Sequence, residues 1–373
     1  MSDSKIEWCD KTWNPVTGCT KISEGCRNCY AERQAKRFGK QWGLPANNPF
    51  AVTKRRDEIF LDPIRWRNPA RIFCCSMGDL FHDDVPDNWI AAVLAVMAMT
   101  YDHTGKMRDA GDGLSVAICK QRHTYILLTK RPERMQRFFT EFLSGDIFSK
   151  EPNITRFAGQ FCKQLARNLG QEWWMNADFS LASWIDNGLP GLWIGVTAEN
   201  QEQADKRIPI LLQTPAAVRF VSVEPMLGPV NLRNIRLKDG GTLDALKGID
   251  TTMQCHYAGK LDWVICGGES GPGARPMHPD WARSLRDQCQ AAGTPFLFKQ
   301  WGEWQDGSAY DTNAKHLVVT IDGKTYSWPN AEYTSTKDWP YLHPRIMAKV
   351  GKKEAGRLLD GQLWDVYPTF NRF

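Results

Sequence analysis

Short, nearly continuous apolar runs punctuate this chain. Each is followed by a polar stretch and then by apolar residues at helical spacing. The runs are 71–76 (RIFCCS), 124–129 (TYILLT), 192–197 (LWIGVT), 218–223 (VRFVSV), 262–266 (DWVIC) and 295–299 (PFLFK). Apolarity on successive positions, rather than on alternate ones, suits parallel strands buried on both faces. Between the runs, the spacing predicts helices over 28–38, 87–99, 132–142, 201–212 and 279–292, with Gly293 as the stop of the last. Strand–helix alternation with right-handed crossovers predicts an α/β fold, closed or partly closed into a TIM-like (β/α) barrel.

Three stretches break this repeat and read as insertions: 100–123, 144–190 (with Trp173, Trp174 and Trp184) and 233–260, which turns at Gly240-Gly241. Residues 305–373, rich in Trp, Tyr, Pro and Lys, read as a C-terminal cap on a barrel spanning 1–304. No low-complexity linker separates the two, which predicts one elaborated domain.

At 42% hydrophobic residues, the 373-residue chain has enough apolar material for a substantial core. Its net charge of +5 permits an anionic substrate. No apolar run reaches the roughly 18 residues of a membrane span. The opening Met1-Ser2-Asp3-Ser4-Lys5 lacks the apolar core of a signal peptide. Eleven cysteines without an export signal therefore point to thiols and metal ligands in a reducing cytoplasm rather than to a disulfide framework. The sixteen tryptophans serve either as packing at loop edges or as stacking surfaces for a base.

A charged residue ends or follows every apolar run: Asp79, Lys130 (then Arg131), Glu199 (then Asn200), Glu224, Glu269 within Gly267-Gly268-Glu269-Ser270, and Lys299. Barrel folds place their chemistry at strand ends, where the loops converge, so these positions predict a shared ligand site. Ordinary solvated loops are the plainer reading. Paired glycines at a strand end let backbone approach a ligand closely. No Ser/His/Asp triad or phosphate loop occurs.

Near the N-terminus, Cys19, Cys26 and Cys29 follow the spacing C-x6-C-x2-C, with Gly18 and Gly25 loosening the loop. Four thiolates complete the usual shell of a [4Fe–4S] cluster; three leave one iron open, the mark of a reactive rather than a structural centre. S-adenosylmethionine can fill that position, and an electron from the cluster then cleaves it to a 5′-deoxyadenosyl radical. The rival reading recruits Cys9 as a fourth thiolate, giving a structural zinc or a closed cluster in a non-catalytic nucleic-acid-binding protein.

The stretch Trp13-Asn14-Pro15 through Cys29-Tyr30-Ala31-Glu32 resembles the signature of a three-cysteine protein family of phages and bacterial mobile elements. So do Leu127–Pro132 (LLTKRP), Ser222–Pro229 (SVEPMLGP), Gly267–Pro272 (GGESGP), Phe298–Gly302 (FKQWG) and Gly356–Gly361 (GRLLDG). That family is similar to radical S-adenosylmethionine enzymes. The resemblance implies a partial barrel, an N-terminal cluster loop on Cys19, Cys26 and Cys29, and cofactor contacts at the strand exits. Asp79, Lys130, Glu199, Asn200 and Gly267, Gly268, Glu269 and Ser270 are then the candidate cofactor contacts. Glu224 and Lys299 are the catalytic candidates, closer to substrate. Where the commonest radical motif has an aromatic before its last cysteine this chain has Asn28, and Tyr30 is the candidate for stacking adenine instead.

The expected substrate is a nucleobase, nucleotide, DNA or RNA, an expectation to which Lys54-Arg55-Arg56 contributes; a peptide or small metabolite is the alternative. A reductant protein for the cluster completes the expected partners. The expected compartment is the cytoplasm of a bacterium or phage-infected cell.

Overall fold

The computed structural model describes residues 4–54, 57–109, 115–146, 150–168, 177–186, 188–307, 314–328 and 343–369. The apolar runs form strands of one sheet: β1 (Lys11–Trp13), β2 (Arg71–Cys74), β3 (Thr124–Thr129), β4 (Leu192–Thr197), β5 (Val218–Val223), β6 (Trp263–Gly267) and β7 (Phe296–Gln300). All neighbours pair in parallel and in sequence order, so the chain winds one way around a seven-stranded half-barrel. The helices follow the predicted spans closely: α1 (Tyr30–Phe38), α2 (Asp87–Ala98), α3 (Pro132–Ser144), α6 (Gln201–Leu212) and α7 (Pro279–Ala292). Gly293 ends α7 in the left-handed conformation, as its sequence position predicts.

Alternation along each strand divides the core in two. Ile72, Tyr125, Leu127, Ile194, Val196, Val221, Val223, Val264, Cys266, Phe296 and Phe298 face the helices. On the concave side, Ile126, Trp193, Val218, Phe220, Trp263, Ile265 and Leu297 enclose Trp8 and Cys9, which plug the lower end of the half-barrel. The upper end of the same concave face carries Glu224 and Lys299, which continue the alternation of β5 and β7 past the apolar layer. Sheet physics thus delivers polar groups to one rim.

The C-terminal stretch extends this sheet. Phe298 N donates to Trp364 O at 2.8 Å and Val366 N to Phe296 O at 3.2 Å, adding residues 364–366 antiparallel to β7. Tyr367 Oη then donates to Glu7 O at 3.0 Å, and the Arg71 guanidinium lies 4.3 Å from the Tyr367 ring centre. The tail therefore spans from the last strand to the residues leading into the first.

The three insertions each have structure. Tyr101–Asp109 and Ser115–Gln121 pair as an antiparallel hairpin. The second insertion contains α4 (Ile154–Asn168) and α5 (Ala177–Asp186); Trp173 and Trp174 lie outside the described residues. The third is a four-stranded antiparallel sheet of two- and three-residue strands between Ile235 and His256. The C-terminal region holds a further four-stranded antiparallel sheet, from Trp304–Asp306 to Arg345–Lys349. Among the described residues no helix is long and apolar enough to cross a membrane.

Adjacent cysteines on one strand are expected to point to opposite faces, yet the sulfurs of Cys74 and Cys75 lie 3.7 Å apart. The reason is local: Cys75 has left the strand at φ 59°, which ends the alternation.

Candidate active site: a cysteine loop latched to the strand exits

The cysteine loop starts from Val16–Thr17, which pairs antiparallel with Thr53–Lys54. Gly18 follows at φ 94°, and a Cβ there would stand 2.1 Å from Ala51 O, so only glycine fits. Its N–H donates to Met77 O at 2.9 Å, tying the loop to the exit of β2. A 3-10 turn over Glu24–Cys26 and the start of α1 place Cys26 and Cys29. All three cysteines are half-buried.

Three latches, drawn from four strand exits, hold this loop through charged side chains. The first latch joins β2 and β3. Asp79 accepts from Thr129 Oγ1 at 2.7 Å, from Lys130 N at 3.1 Å and from Arg131 Nη1 at 3.3 Å. Arg131 in turn donates to Cys19 Sγ at 3.3 Å and to Thr20 O at 3.1 Å. His82 Nδ1 accepts from Asp84 N at 3.1 Å, which leaves the proton on Nε2 to donate to Thr20 Oγ1 at 2.8 Å.

The second latch is Glu199, fully buried after β4. One oxygen accepts from Gly25 N at 3.1 Å and the other from Arg207 Nη1 at 2.9 Å. Arg207 also donates to Thr197 O at 2.6 Å. A Cβ on Gly25 would come within 3.0 Å of the Glu199 carboxyl, so the loop glycine permits this approach.

The third latch is Glu269, after β6. It accepts from Asn28 Nδ2 at 3.0 Å, and from Arg275 Nε and Nη2, each at 2.8 Å. Arg275 Nη1 reaches back to Glu24 Oε1 at 2.9 Å. Asn28 donates a second bond to Gly273 O at 2.7 Å, and Arg33 of α1 donates to Ser270 O at 3.2 Å. The sequence thus locates the carboxylates Asp79, Glu199 and Glu269, while their cationic partners Arg207 and Arg275, and the bridging Arg33, carry no sequence signal. Asn28, marked there only as a departure from the radical motif, proves to be a bridge. Arg207 sits mid-helix and Arg275 in a loop; only the fold aims them at these carboxylates.

Electrostatics differ among the sulfurs. Burial, with the Asp79 charge, pushes the Cys19 thiol up to about 11 against the opposing Arg131. At Cys26 burial acts upward too, but Lys130, the Ile22 and Ser23 backbone and the Ser23 hydroxyl outweigh it and hold the thiol below its usual range. Burial also acts upward on Glu199, where Arg207, Ser23 and Lys130 prevail and keep the carboxyl below the ordinary value. Glu269 is likewise lowered, burial being outweighed by Arg275 and Asn28. Among the described residues, the Lys130 ammonium forms no hydrogen bond or ion pair.

Beneath the loop on the concave face, Glu224 Oε1 accepts from Lys299 Nζ at 2.7 Å and from Gln300 Nε2 at 3.4 Å. Burial lowers the Lys299 ammonium, but Glu224, Glu7 and Cys9 more than compensate and raise it. Gly267 makes room for this pair, since a Cβ there would stand 3.3 Å from the Glu224 carboxyl carbon. Gly268 is a packing requirement of another kind: its missing Cβ would lie 1.9 Å from Trp301 O.

Two cofactor candidates, Asn200 and Tyr30, take no part in these latches. Asn200 caps α6, its Oδ1 accepting from Gln203 N at 3.0 Å. Tyr30 opens α1 with its side chain 57% exposed. Cys9 is not gathered with the cysteine loop: it belongs to the concave apolar cluster, and its thiol donates to Ser4 Oγ at 3.2 Å. Arg55 and Arg56 lie outside the described residues. As the side chains stand, no three His, Cys, Asp or Glu among the described residues form a ready metal shell.

A search of curated proteins and a search of solved structures return no match. A family model described as "Protein of unknown function (DUF5131)" matches residues 3–107 and 112–368. With the match spanning nearly the whole chain, the protein belongs to the DUF5131 family.

Proposed function

We propose that this protein is a radical S-adenosylmethionine enzyme of the partial (β/α)-barrel type, acting on a nucleobase or nucleic acid. The observation that carries the reading is the placement of Cys19, Cys26 and Cys29 on one loop, latched by Asp79–Arg131, Glu199 and Glu269 over the C-terminal ends of parallel strands. Barrels assemble reaction sites at that rim. Three thiols suit a [4Fe–4S] cluster with one open iron. The surroundings suit its negative charge as well: Lys130 acts on Cys26, Arg131 donates to Cys19, and Arg131 Nε is buried with no acceptor among the described residues. When bound, the cluster and S-adenosylmethionine supply reductive cleavage to methionine and a 5′-deoxyadenosyl radical.

The chain's own residues have separable tasks in this reading. Cys19, Cys26 and Cys29 hold the metal. Lys130 and the Gly267–Ser270 segment border the place of the cofactor. The Glu224–Lys299 pair, on the concave face beneath, orients the substrate and holds a proton at Lys299 Nζ. Cys9, buried with Trp8 and Trp263, stays outside the ligand set. A reductant protein supplies the electron.

Anaerobic reconstitution with iron and sulfide, then reduction with S-adenosylmethionine, tests the proposal. The expected results are visible cluster absorbance and formation of 5′-deoxyadenosine, both lost in a Cys19→Ala/Cys26→Ala/Cys29→Ala variant. A protein that takes up zinc and no iron, and yields no deoxyadenosine, overturns it.

A further inference from the structure

Beside the cysteine loop, α1 presents a basic face whose acidic neighbours are already engaged. Lys21, Arg27, Lys36, Arg37 and Lys40 are exposed. Glu32 is shared between Lys21 at 3.0 Å and Lys36 at 2.7 Å, and Glu24 is held by Arg275 at 2.9 Å. Among the described residues, Arg27, Arg37 and Lys40 have no carboxylate partner. Arg37 lies over the Phe38 ring, 4.9 Å from its centre, which leaves its guanidinium exposed without an anionic partner among the described residues.

Geometry arranges part of that charge in a line. Tyr30, Arg33, Arg37 and Lys40 recur at intervals of three and four, which places them along one stripe of α1 and the turn after it. Ala31 and Ala35 occupy the opposite, buried side. Tyr30 heads the stripe, immediately after Cys29 and 57% exposed, and Ile22 of the same loop is 46% exposed. Arg33 anchors the stripe to the exit of β6 through Ser270 O. A ligand lying on this line therefore leads directly to the cysteine loop.

We infer that the stripe is the docking track of a single-stranded nucleic acid, an inference that rests on the nucleic-acid reading above. Phosphates lie on Arg37 and Lys40, and a base stacks on Tyr30 at the edge of the cysteine loop. Single strands are held by cations that follow the backbone and by aromatic faces on which unpaired bases stack, and this stripe carries both. An acidic protein would use the cations but would leave Tyr30 without a task. A duplex hides the base faces that Tyr30 would stack on.

The test titrates the full chain, reconstituted with iron and sulfide, with fluorescein-labelled oligo(dT) and oligo(U) across a salt series, read by anisotropy. Binding is expected to weaken as salt rises. The double variant Arg37→Gln/Lys40→Gln should flatten the slope of log K against log salt by about 1.4, at about 0.7 per phosphate contact on a single strand. Tyr30→Ala should weaken binding about tenfold at every salt concentration and leave the slope unchanged. The tighter of the DNA and RNA arms identifies the sugar that is recognised. Absence of binding by the unsubstituted protein, an unaltered slope in the double variant, or undiminished affinity in Tyr30→Ala overturns the inference. Cluster absorbance and deoxyadenosine formation are read on the same samples. A loaded, active cluster without these binding effects refutes the track alone. Salt-dependent binding with the expected variant effects but no cluster supports the track and refutes the radical chemistry.

Discussion

Glu199→Gln isolates the central latch with almost no change of shape. The native carboxylate is fully buried, and its Arg207 partner is only 5% exposed at the side chain, 2.9 Å away. Removing one member of a buried ion pair leaves the other charge uncompensated, at a cost of about 3–5 kcal/mol. Here the lower end applies. Glutamine can offer its one oxygen to Gly25 N only by turning its NH2 toward Arg207 Nη1, but Arg207 keeps its bond to Thr197 O at 2.6 Å. The expected loss is therefore about 3 kcal/mol, read from urea unfolding midpoints at neutral pH by tryptophan fluorescence. Adding Arg207→Met removes the stranded cation and should recover a large part of the loss. Loosening of the loop has its own readout, faster tryptic cleavage at Lys21 and Arg27.

The acid limb supplies a sign check on the same variant. Glu199 is held below its unfolded value, so its contribution is fully present above about pH 4.3 and disappears as pH falls through the lowered folded value. The native protein should therefore lose stability in acid more steeply than Glu199→Gln. A loss below about 1 kcal/mol, or a double variant no more stable than the single one, would refute the latch.

Three further outcomes follow from individual contacts. Lys299→Met removes the partner of Glu224 without touching the cysteine loop, so iron content after reconstitution should hold while substrate turnover falls at least about a hundredfold, the scale of a lost acid–base group. Asn28→Ala breaks the bonds to Glu269 and Gly273 O; urea midpoints should report a loss of about 1–2 kcal/mol, with faster proteolysis confined to the loop. Gly195→Ala places a methyl 2.4 Å from the Phe220 ring on the concave face, and thermal unfolding should register about 1–3 kcal/mol of overpacking with unchanged cluster absorbance.

The parts of the fold that were legible share one property, a long apolar signal. Thr124–Thr129, Leu192–Thr197 and Val218–Val223 occur as predicted because buried parallel strands are apolar throughout. α7 ends as predicted because Gly293 marks its stop, whereas Asn200, read as a cofactor contact, caps the start of α6. β1 was not legible: three residues that complete a sheet edge have no period to read. The insertion sheet at 235–256 was hidden for the same reason, since its strands are two or three residues long. Cys75 defeated the alternation rule through one left-handed residue.

The candidate site divides along a different line, between where a charge sits and what it meets. Position along the chain brings Asp79, Glu199 and Glu269 to the rim, and there it stops being informative. Each carboxylate is met by an arginine, Arg131, Arg207 or Arg275, and each pair also touches the cysteine loop. Groups that read as ligand contacts are thereby committed to holding the loop in place. Such commitment has a physical rationale: a buried carboxylate without a cation would be costly, and one already neutralised adds little net charge near the sulfurs. Among the described residues, the rim groups outside the latches include the Lys130 ammonium, whose charge acts on Cys26, and, lower on the concave face, the Glu224–Lys299 pair. Under the proposed function, recognition at this rim runs through Lys130 and the Glu224–Lys299 pair, and substitutions there should alter chemistry while substitutions in the latches alter stability first.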